Sequence, residues 1–261
     1  MPKSTVFSKD PANTLKMKIL AVIPARYAST RFPGKPLALI QGKTMIRRVY
    51  EQVKKAKLVT AIVVATDDDR IASEVAHFGG NFIMTSPTHP SGTDRCYEAL
   101  CKHQHSFDAV INVQGDEPFI APEQIDQLAQ LIKPENIGIA TLIQRINEKT
   151  HLFDPNVVKV ITNPEGKAIY FSRQAIPYLR NFDIDQWLKE YIFYRHIGIY
   201  AYKSDVMKQI TSLPPSPLEK AESLEQLRWL EHGITIQTGL TDHAQFGVDT
   251  PADLEKLINI I

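Results

Sequence analysis

Cysteine is nearly absent, with Cys96 and Cys101 the only two among 261 residues. They stand five apart rather than in C-x-x-C spacing, and two thiols build neither a disulfide framework nor a zinc site. A reducing, cytoplasmic compartment is therefore expected. An excess of one sign of charge is missing too, since 30 Lys and Arg face 29 Asp and Glu. A net charge of +1 sets up no global field for nucleic acid, so any cationic site must be local and its partner small. No run approaches the ~18 apolar residues of a membrane span, and "MPKSTVFSKDPANTLKMK" lacks an apolar signal core, so neither insertion nor secretion is expected. Residues 1–16 read as a loose tail, with Met17 opening the first strand and the choice of Met1 or Met17 as native start left open. The loop after that strand also lacks the glycine pattern of a phosphate cradle, G-x-x-x-x-G-K-[ST], and of a dinucleotide loop, G-x-G-x-x-G.

What is present is 43% apolar residues in a chain long enough to bury a sizeable core. Apolar runs suited to buried strands occur at "KILAVIP", "AIVVAT", "NFIMT", "DAVINVQ" and "IGIATL". Segments of helical period separate them: "TMIRRVYEQVKKAK", "DDDRIASEVAHFGG", the stretch after "SGTDR", and "APEQIDQLAQLI". This alternation predicts an α/β fold with a doubly wound, mostly parallel sheet, whose ligands lie beyond the carboxyl ends of the strands. From about residue 155 the pattern changes. "NVVKVITNPEGKAIYFS" reads as two β runs around a turn and "RHIGIYAY" as a further strand, giving a β-rich subregion at about 155–215 within a single domain spanning 17–261. "SPLEKAESLEQLRWLEHG" reads as one helix, "ITIQTGL" as a strand, and "TPADLEKLINII" as a last helix capped by Thr250 and Asp253.

Chemistry concentrates in three stretches, two of them at strand ends. "IPARYASTRFPGKPL" places Arg26, Ser29, Arg31 and Lys35 after the first strand, enough donors to neutralise a polyphosphate. "VQGDEPFI" presents Gln114, Asp116 and Glu117 in a tight turn facing the same crevice, where a carboxylate suits Mg²⁺. "FGVDTPADLE" adds Asp249, which is either a polar neighbour of a helix cap or the second carboxylate of a metal–nucleotide site.

These stretches, with "VATDDDRI", "SGTDR", "NVVKV", "YFSR" followed by "IP", "RHIGIYAY" and "SPLEKAESLEQLR", resemble in their order the 3-deoxy-manno-octulosonate (Kdo) cytidylyltransferases. The resemblance covers nearly everything from Ile19 to Ile258. Its departures are the 16-residue extension and Thr44 after "GK", where the family often has Pro. It implies a nucleotide-diphospho-sugar transferase type of fold with an inserted β-rich arm for substrate and dimerisation, and a homodimer. It also implies the reaction of CTP with the acidic sugar Kdo to CMP-Kdo and pyrophosphate, for lipopolysaccharide biosynthesis. By motif, Arg26, Ser29 and Lys35 match the triphosphate loop, and Asp116 and Asp249 match the magnesium ligands. Pro24, Ala25 and Gln114 match the region receiving cytosine and the sugar edge. Arg173, His196, Tyr200, Glu225 and Gln226 match the Kdo positions. The expected route is in-line attack of the C2 hydroxyl on the α-phosphorus, without a covalent enzyme intermediate.

Read without the resemblance, the last five residues keep plainer alternatives. Arg173 reads equally as a cap at its strand end, His196 as a structural histidine and Tyr200 as core, and the pattern does not settle which helix face carries Glu225 and Gln226. A related enzyme acting on N-acetylneuraminate, or a nucleotide-sensing protein without turnover, are the competing functions. Intact Arg26, Lys35, Asp116 and Asp249 argue against the latter. The annex offers apolar residues such as Ile197, Ile199 and Tyr202 as a dimer surface.

Overall fold

The computed structural model describes residues 17–28, 32–243, 247–248 and 250–258. The tail 1–16, Ser29, Arg31 and Asp249 lie outside the described residues. The first half alternates as its pattern predicts: β1 (Ile19–Ala25), a hairpin of β2 (Leu39–Ile40) and β3 (Lys43–Thr44), α1 (Met45–Val53), β4 (Ala61–Thr66), α2 (Asp69–His77), β5 (Phe82–Met84), α3 (Gly92–Lys102), β6 (Ala109–Asn112), α4 (Pro122–Leu131) and β7 (Ile139–Arg145). Then come α5 (Lys149–Phe153), β8 (Lys159–Thr162), β9 (Ala168–Ser172), α6 (Trp187–Glu190), β10 (Tyr194–Lys203), α7 (Ser204–Thr211), α8 (Pro217–Glu222), α9 (Glu225–Glu231), β11 (Ile236–Leu240) and α10 (Pro251–Ile258).

The central sheet runs β11-β7-β10-β6-β1-β4-β5. β1 pairs in parallel with β4 and β6, β4 with β5, and β7 with β11. Alternate residues of β1 enter two different cores. Ile19, Ala21 and Ile23 join α1, α2 and α4 on one face, and Leu20 and Val22 join α3, α7 and α9 on the other. A strand covered on both faces must be apolar throughout, which is why "ILAVI" has no polar alternation. The architecture is thus three layers, helices on both sides of a mostly parallel sheet, as the sequence pattern predicts.

The antiparallel member is β10, which pairs with β6 and β7. It differs from the expectation of a strand confined to the annex. The chain returns from the β8–β9 hairpin at the carboxyl end of the sheet, so the only short way back is against the direction of its neighbours. A register shift between Ile197 and Tyr200 divides β10. Its first part also pairs with β8, through Tyr194 and Arg195, and its second part with β6. β10 therefore joins the hairpin to the sheet. It also buries Ile197, Ile199 and Tyr202 to 2% exposure or less, which corrects their assignment to a dimer surface. A strand with partners on both edges and helices on both faces has no apolar side chain left to offer.

A second correction concerns residues 216–233. One continuous helix was expected, but the chain breaks at Ser223, which takes up a left-handed conformation (φ 52°) between α8 and α9. Ser216 and Glu219 close a capping box at the start of α8. The break makes Glu225 the first residue of α9. At the C-terminus the expected cap is present: the Asp253 carboxylate accepts from the Thr250 N–H and hydroxyl at 2.9 and 2.8 Å.

The annex rests on a buried ammonium. Lys159 of "NVVKV" is fully buried, and its Nζ donates to the carbonyls of Asp154 (2.9 Å), Val157 (2.6 Å) and Arg173. Three donors meet three acceptors, which is how a lysine is tolerated without a direct carboxylate partner. Burial still pushes its pKa down, against the opposing pull of Asp154 and Glu222.

Candidate active site

A cleft opens at the carboxyl ends of β1 and β6, lined by Pro24, Ala25, Arg26, Lys35, Gln114 and Asp116 together with His89, Ser91, Gly92 and Arg95. Its first wall is the loop after β1. Gly34 is left-handed (φ 72°), and a Cβ there would press on the Tyr27 ring at 3.1 Å. Its N–H donates to the Tyr27 carbonyl at 3.0 Å. The Arg70 guanidinium lies 3.3 Å above the Tyr27 ring while pairing with Asp68 at the start of α2. The loop is thereby clamped between its own backbone and α2, which holds Lys35 at the head of a short 3₁₀ turn over Lys35–Leu37.

The second wall is the turn after β6. A Cβ on Gly115 would lie 2.8 Å from the Pro24 carbonyl oxygen, so only glycine lets this turn rest against the end of β1. The contact brings Asp116 to Lys35: Nζ donates to Oδ2 at 2.6 Å. A loop cation and a turn carboxylate 81 residues apart thus form one ion pair in a partly buried place. The Val248 N–H donates to the Asp116 carbonyl oxygen at 3.0 Å, and Val248 packs with Ile40, Met45, Phe32 and Phe119. The "GV" preceding Asp249 is therefore anchored at the same turn. Among the described residues no group of three or more His, Cys, Asp or Glu is arranged to hold a metal. The donors at hand, an Asp116 carboxylate in a cleft with room for phosphate oxygens and water, suit a hard divalent cation.

The third wall was not assigned from sequence. Ser91 caps α3 by accepting from the Asp94 N–H at 3.1 Å. Arg95 is buried and reaches Thr85 Oγ1 at 2.6 Å and Asp67 at 3.2 Å. His89 Nε2 pairs with Glu98. Burial opposes ionisation of Glu98, but hydrogen bonds from Lys102, the Ser86 N–H and His89 outweigh it and hold the carboxyl at about 2. The signal for this wall was the "SGTDR" stretch with His89 two residues ahead. Nothing in its spacing tells that a helix start faces the cleft.

The five residues matched to the sugar fall in three places. His196 and Tyr200 stand on β10 with ring centroids 5.1 Å apart, against Phe171 and Trp229. Thr141 Oγ1 donates to the Ile199 carbonyl at 2.8 Å and lies 3.0 Å from His196 Nε2. With Oγ1 donating to a carbonyl, a ring proton on Nε2 satisfies the network and leaves Nδ1 as an acceptor. Burial, then the charge of Arg195, lowers the His196 pKa to about 3, so the ring is neutral. The Tyr200 hydroxyl is buried and has no hydrogen-bond partner among the described residues, as is the case for Oδ1 of its cross-strand neighbour Asn112. Burial, reinforced by the charge of Glu225, raises the Tyr200 pKa well above its ordinary value.

Glu225 and Gln226 open α9. Glu225 lines a second pocket beside the cleft, with Ser91 shared between the two. Gln226 is buried. Arg173 does something the sequence left open. Its Nε, Nη1 and Nη2 donate to the carbonyls of Glu222 (2.7 Å), Pro155 (3.0 Å) and Ser223 (3.3 Å). It thus caps the end of α8 rather than its own strand, with two of its five N–H groups left over.

A family model described as Cytidylyltransferase matches residues 20–236. The chain is 58% identical to the 3-deoxy-manno-octulosonate cytidylyltransferase of Cytophaga hutchinsonii over 92% of its length and 96% of that protein. It is 52% identical to the protein of the same name from Parabacteroides distasonis, over 93% and 97%. Among solved structures, CMP:2-keto-3-deoxy-manno-octonic acid synthetase complexed with CTP superposes with a TM-score of 0.86 at 44% identity, covering 93% of this chain and 98% of that one. Among the described residues, no helix is long and apolar enough to cross a membrane.

Proposed function

Because the chain belongs to the 3-deoxy-manno-octulosonate cytidylyltransferase family, we propose that it transfers the cytidylyl group of CTP to Kdo, releasing pyrophosphate, in the cytosol. The observation that carries this reading is the convergence of Arg26, Lys35, Gln114 and Asp116 on one cleft at the ends of β1 and β6, beside a pocket holding Glu225. Arg26, Ser29 and Lys35 take the triphosphate, and Pro24, Ala25 and Gln114 receive the cytosine and the edge of the sugar. Asp116 and Asp249 hold Mg²⁺, which when bound neutralises charge on the phosphate oxygens. Transfer is in line: the C2 hydroxyl of Kdo, its proton passing to solvent, forms the new bond to the α-phosphorus as the bond to pyrophosphate breaks. Lys35 leaves its pairing with Asp116 for the phosphates and stabilises charge growing on the leaving group.

Kdo carries one carboxylate and many hydroxyls. His196 Nδ1 accepts from a sugar hydroxyl, the unpartnered Tyr200 hydroxyl donates to one, and Glu225 and Gln226 complete the set. Arg173 contributes its remaining N–H groups while holding the α8–α9 break. The test is pyrophosphate release measured with CTP, Mg²⁺ and a panel of keto sugars. Release is expected only when CTP, Kdo and Mg²⁺ are all present, and equal turnover with N-acetylneuraminate would overturn the assignment.

The β-rich arm at about 155–215 also makes the chain a homodimer in this reading. Large apolar side chains are exposed there, including Ile169 (57%), Tyr178 (74%), Ile184 (50%) and Ile192 (45%). Among the described residues, β9 pairs with β8 and with no other strand. An open strand edge flanked by exposed apolar residues is costly to leave in water. Sedimentation at micromolar concentration is expected to give twice the chain mass, and Ile169→Lys to give the chain mass. A monomeric wild-type chain would rule the dimer out.

A further inference from the structure

The "SGTDR" stretch is chemically marked, yet the proposed reaction assigns it no role. Its five residues form the first turn of α3 and face two ways. Toward the nucleotide cleft, Ser91, Gly92 and Arg95 form part of the wall, and Gly92 approaches the Pro24 ring closely enough that a Cβ would sit 3.5 Å from it. On the other side, Thr93 is buried (3% exposed), and its Oγ1 donates to Glu225 Oε2 at 2.6 Å across 132 residues of sequence. A β-branched side chain inside a helix has few rotamers, so this hydroxyl is held by the backbone of α3.

We propose that Thr93 is a positioning residue: its hydroxyl fixes the Glu225 carboxylate relative to the turn that lines the nucleotide cleft, so that both substrates are registered against one helix start. This rests on the reading of Glu225 as a sugar contact. Two features support it independently of that reading. Ser223, left-handed between α8 and α9, breaks the helix two residues ahead of Glu225, so the carboxylate is not placed by a continuous helix and depends on contacts such as that with Thr93. The groups around it are mixed: Arg228 on α9, Asp94 and Cys96 on α3, and Tyr200 and Tyr202 on β10. Burial raises the Glu225 pKa, and the hydrogen bonds from Thr93 and Ser91 oppose that rise.

Steady-state kinetics with Kdo and CTP varied separately test this on Thr93→Val, Thr93→Ser, Glu225→Gln and the Val/Gln double variant. Thr93→Val is expected to raise KM for Kdo about 10- to 100-fold, the loss of one hydrogen bond to a charged group. CTP binding followed by calorimetry should stay within about threefold, and Thr93→Ser should retain Kdo binding within the same margin. In the Glu225→Gln background the valine change should add less than about threefold, since both remove one contact. The acid limb of kcat/KM for Kdo should also move to higher pH in Thr93→Val, because the ionised carboxylate loses a donor. If Glu225→Gln leaves KM for Kdo unchanged, the sugar role of Glu225 falls. If Glu225→Gln raises it while Thr93→Val does not, or the two effects multiply fully, the positioning role is overturned. Equal losses in the serine and valine variants overturn it too, since they would report packing rather than the hydroxyl. Thr93→Ala removes the same hydroxyl and replaces the valine variant should that chain not fold.

Discussion

Replacing Asp116 by Asn is expected to lower kcat by about a thousandfold or more, because the charge stabilisation that a bound divalent ion supplies is worth several kcal/mol. The change preserves size and shape. An amide oxygen can still accept from Lys35 Nζ, which sits 2.6 Å from the carboxylate, so the local contact survives and the charge does not. A hard cation then finds a neutral ligand, and Mn²⁺, which binds a given ligand set more tightly, should restore part of the rate. Binding of Mn²⁺ in the presence of CTP, followed by electron paramagnetic resonance, should weaken in parallel. Circular dichroism should be unchanged, since the Gly115 contact with Pro24 and the Val248 N–H bond to the Asp116 carbonyl are made by backbone. An ordinary turn aspartate predicts the opposite, a change of no more than a few-fold. Near wild-type turnover would remove Asp116 from the chemistry.

Lys35→Met is expected to raise KM for CTP and to lower kcat, with a combined loss in kcat/KM of about 30- to 1,000-fold, or about 2 to 4 kcal/mol for one charged hydrogen bond in a site of developing charge. The split matters more than the size. A lysine that only tethers ground-state phosphates changes KM alone, whereas one facing the leaving group must also change kcat. Lys35 is the less exposed partner of the ion pair, at 15% against 30% for Asp116. Methionine fills the space of its stem and leaves the turn over Lys35–Leu37, held by backbone bonds, in place. A loss confined to KM would limit Lys35 to binding, and no loss would make the loop after β1 a charged surface segment.

Much of this was legible in the order of residues. Strands buried on both faces must be continuously apolar, so β1, β4, β6 and β7 announce themselves, and caps such as Asp68 and Thr250 mark helix starts through local hydrogen bonds. Loops at the carboxyl ends of parallel strands point to one crevice, which is how Arg26, Lys35 and Asp116 could be grouped before any coordinates. The sequence by itself thus determined the layered α/β plan and the meeting of Arg26, Lys35 and Asp116 at one cleft, because both follow from local periodicity and strand direction. Only the tertiary structure decided that β10 runs antiparallel between β6 and β7, that Ser223 splits a periodic helical stretch, and that Arg173 caps α8. Those outcomes depend on which distant segments meet: the annex returning at one end of the sheet, and carbonyls from Pro155, Glu222 and Ser223 converging on one guanidinium. The same holds for Thr93 and Glu225, whose contact spans 132 residues. No local pattern encodes such a meeting, since it is set by how the layers pack once the strands have paired.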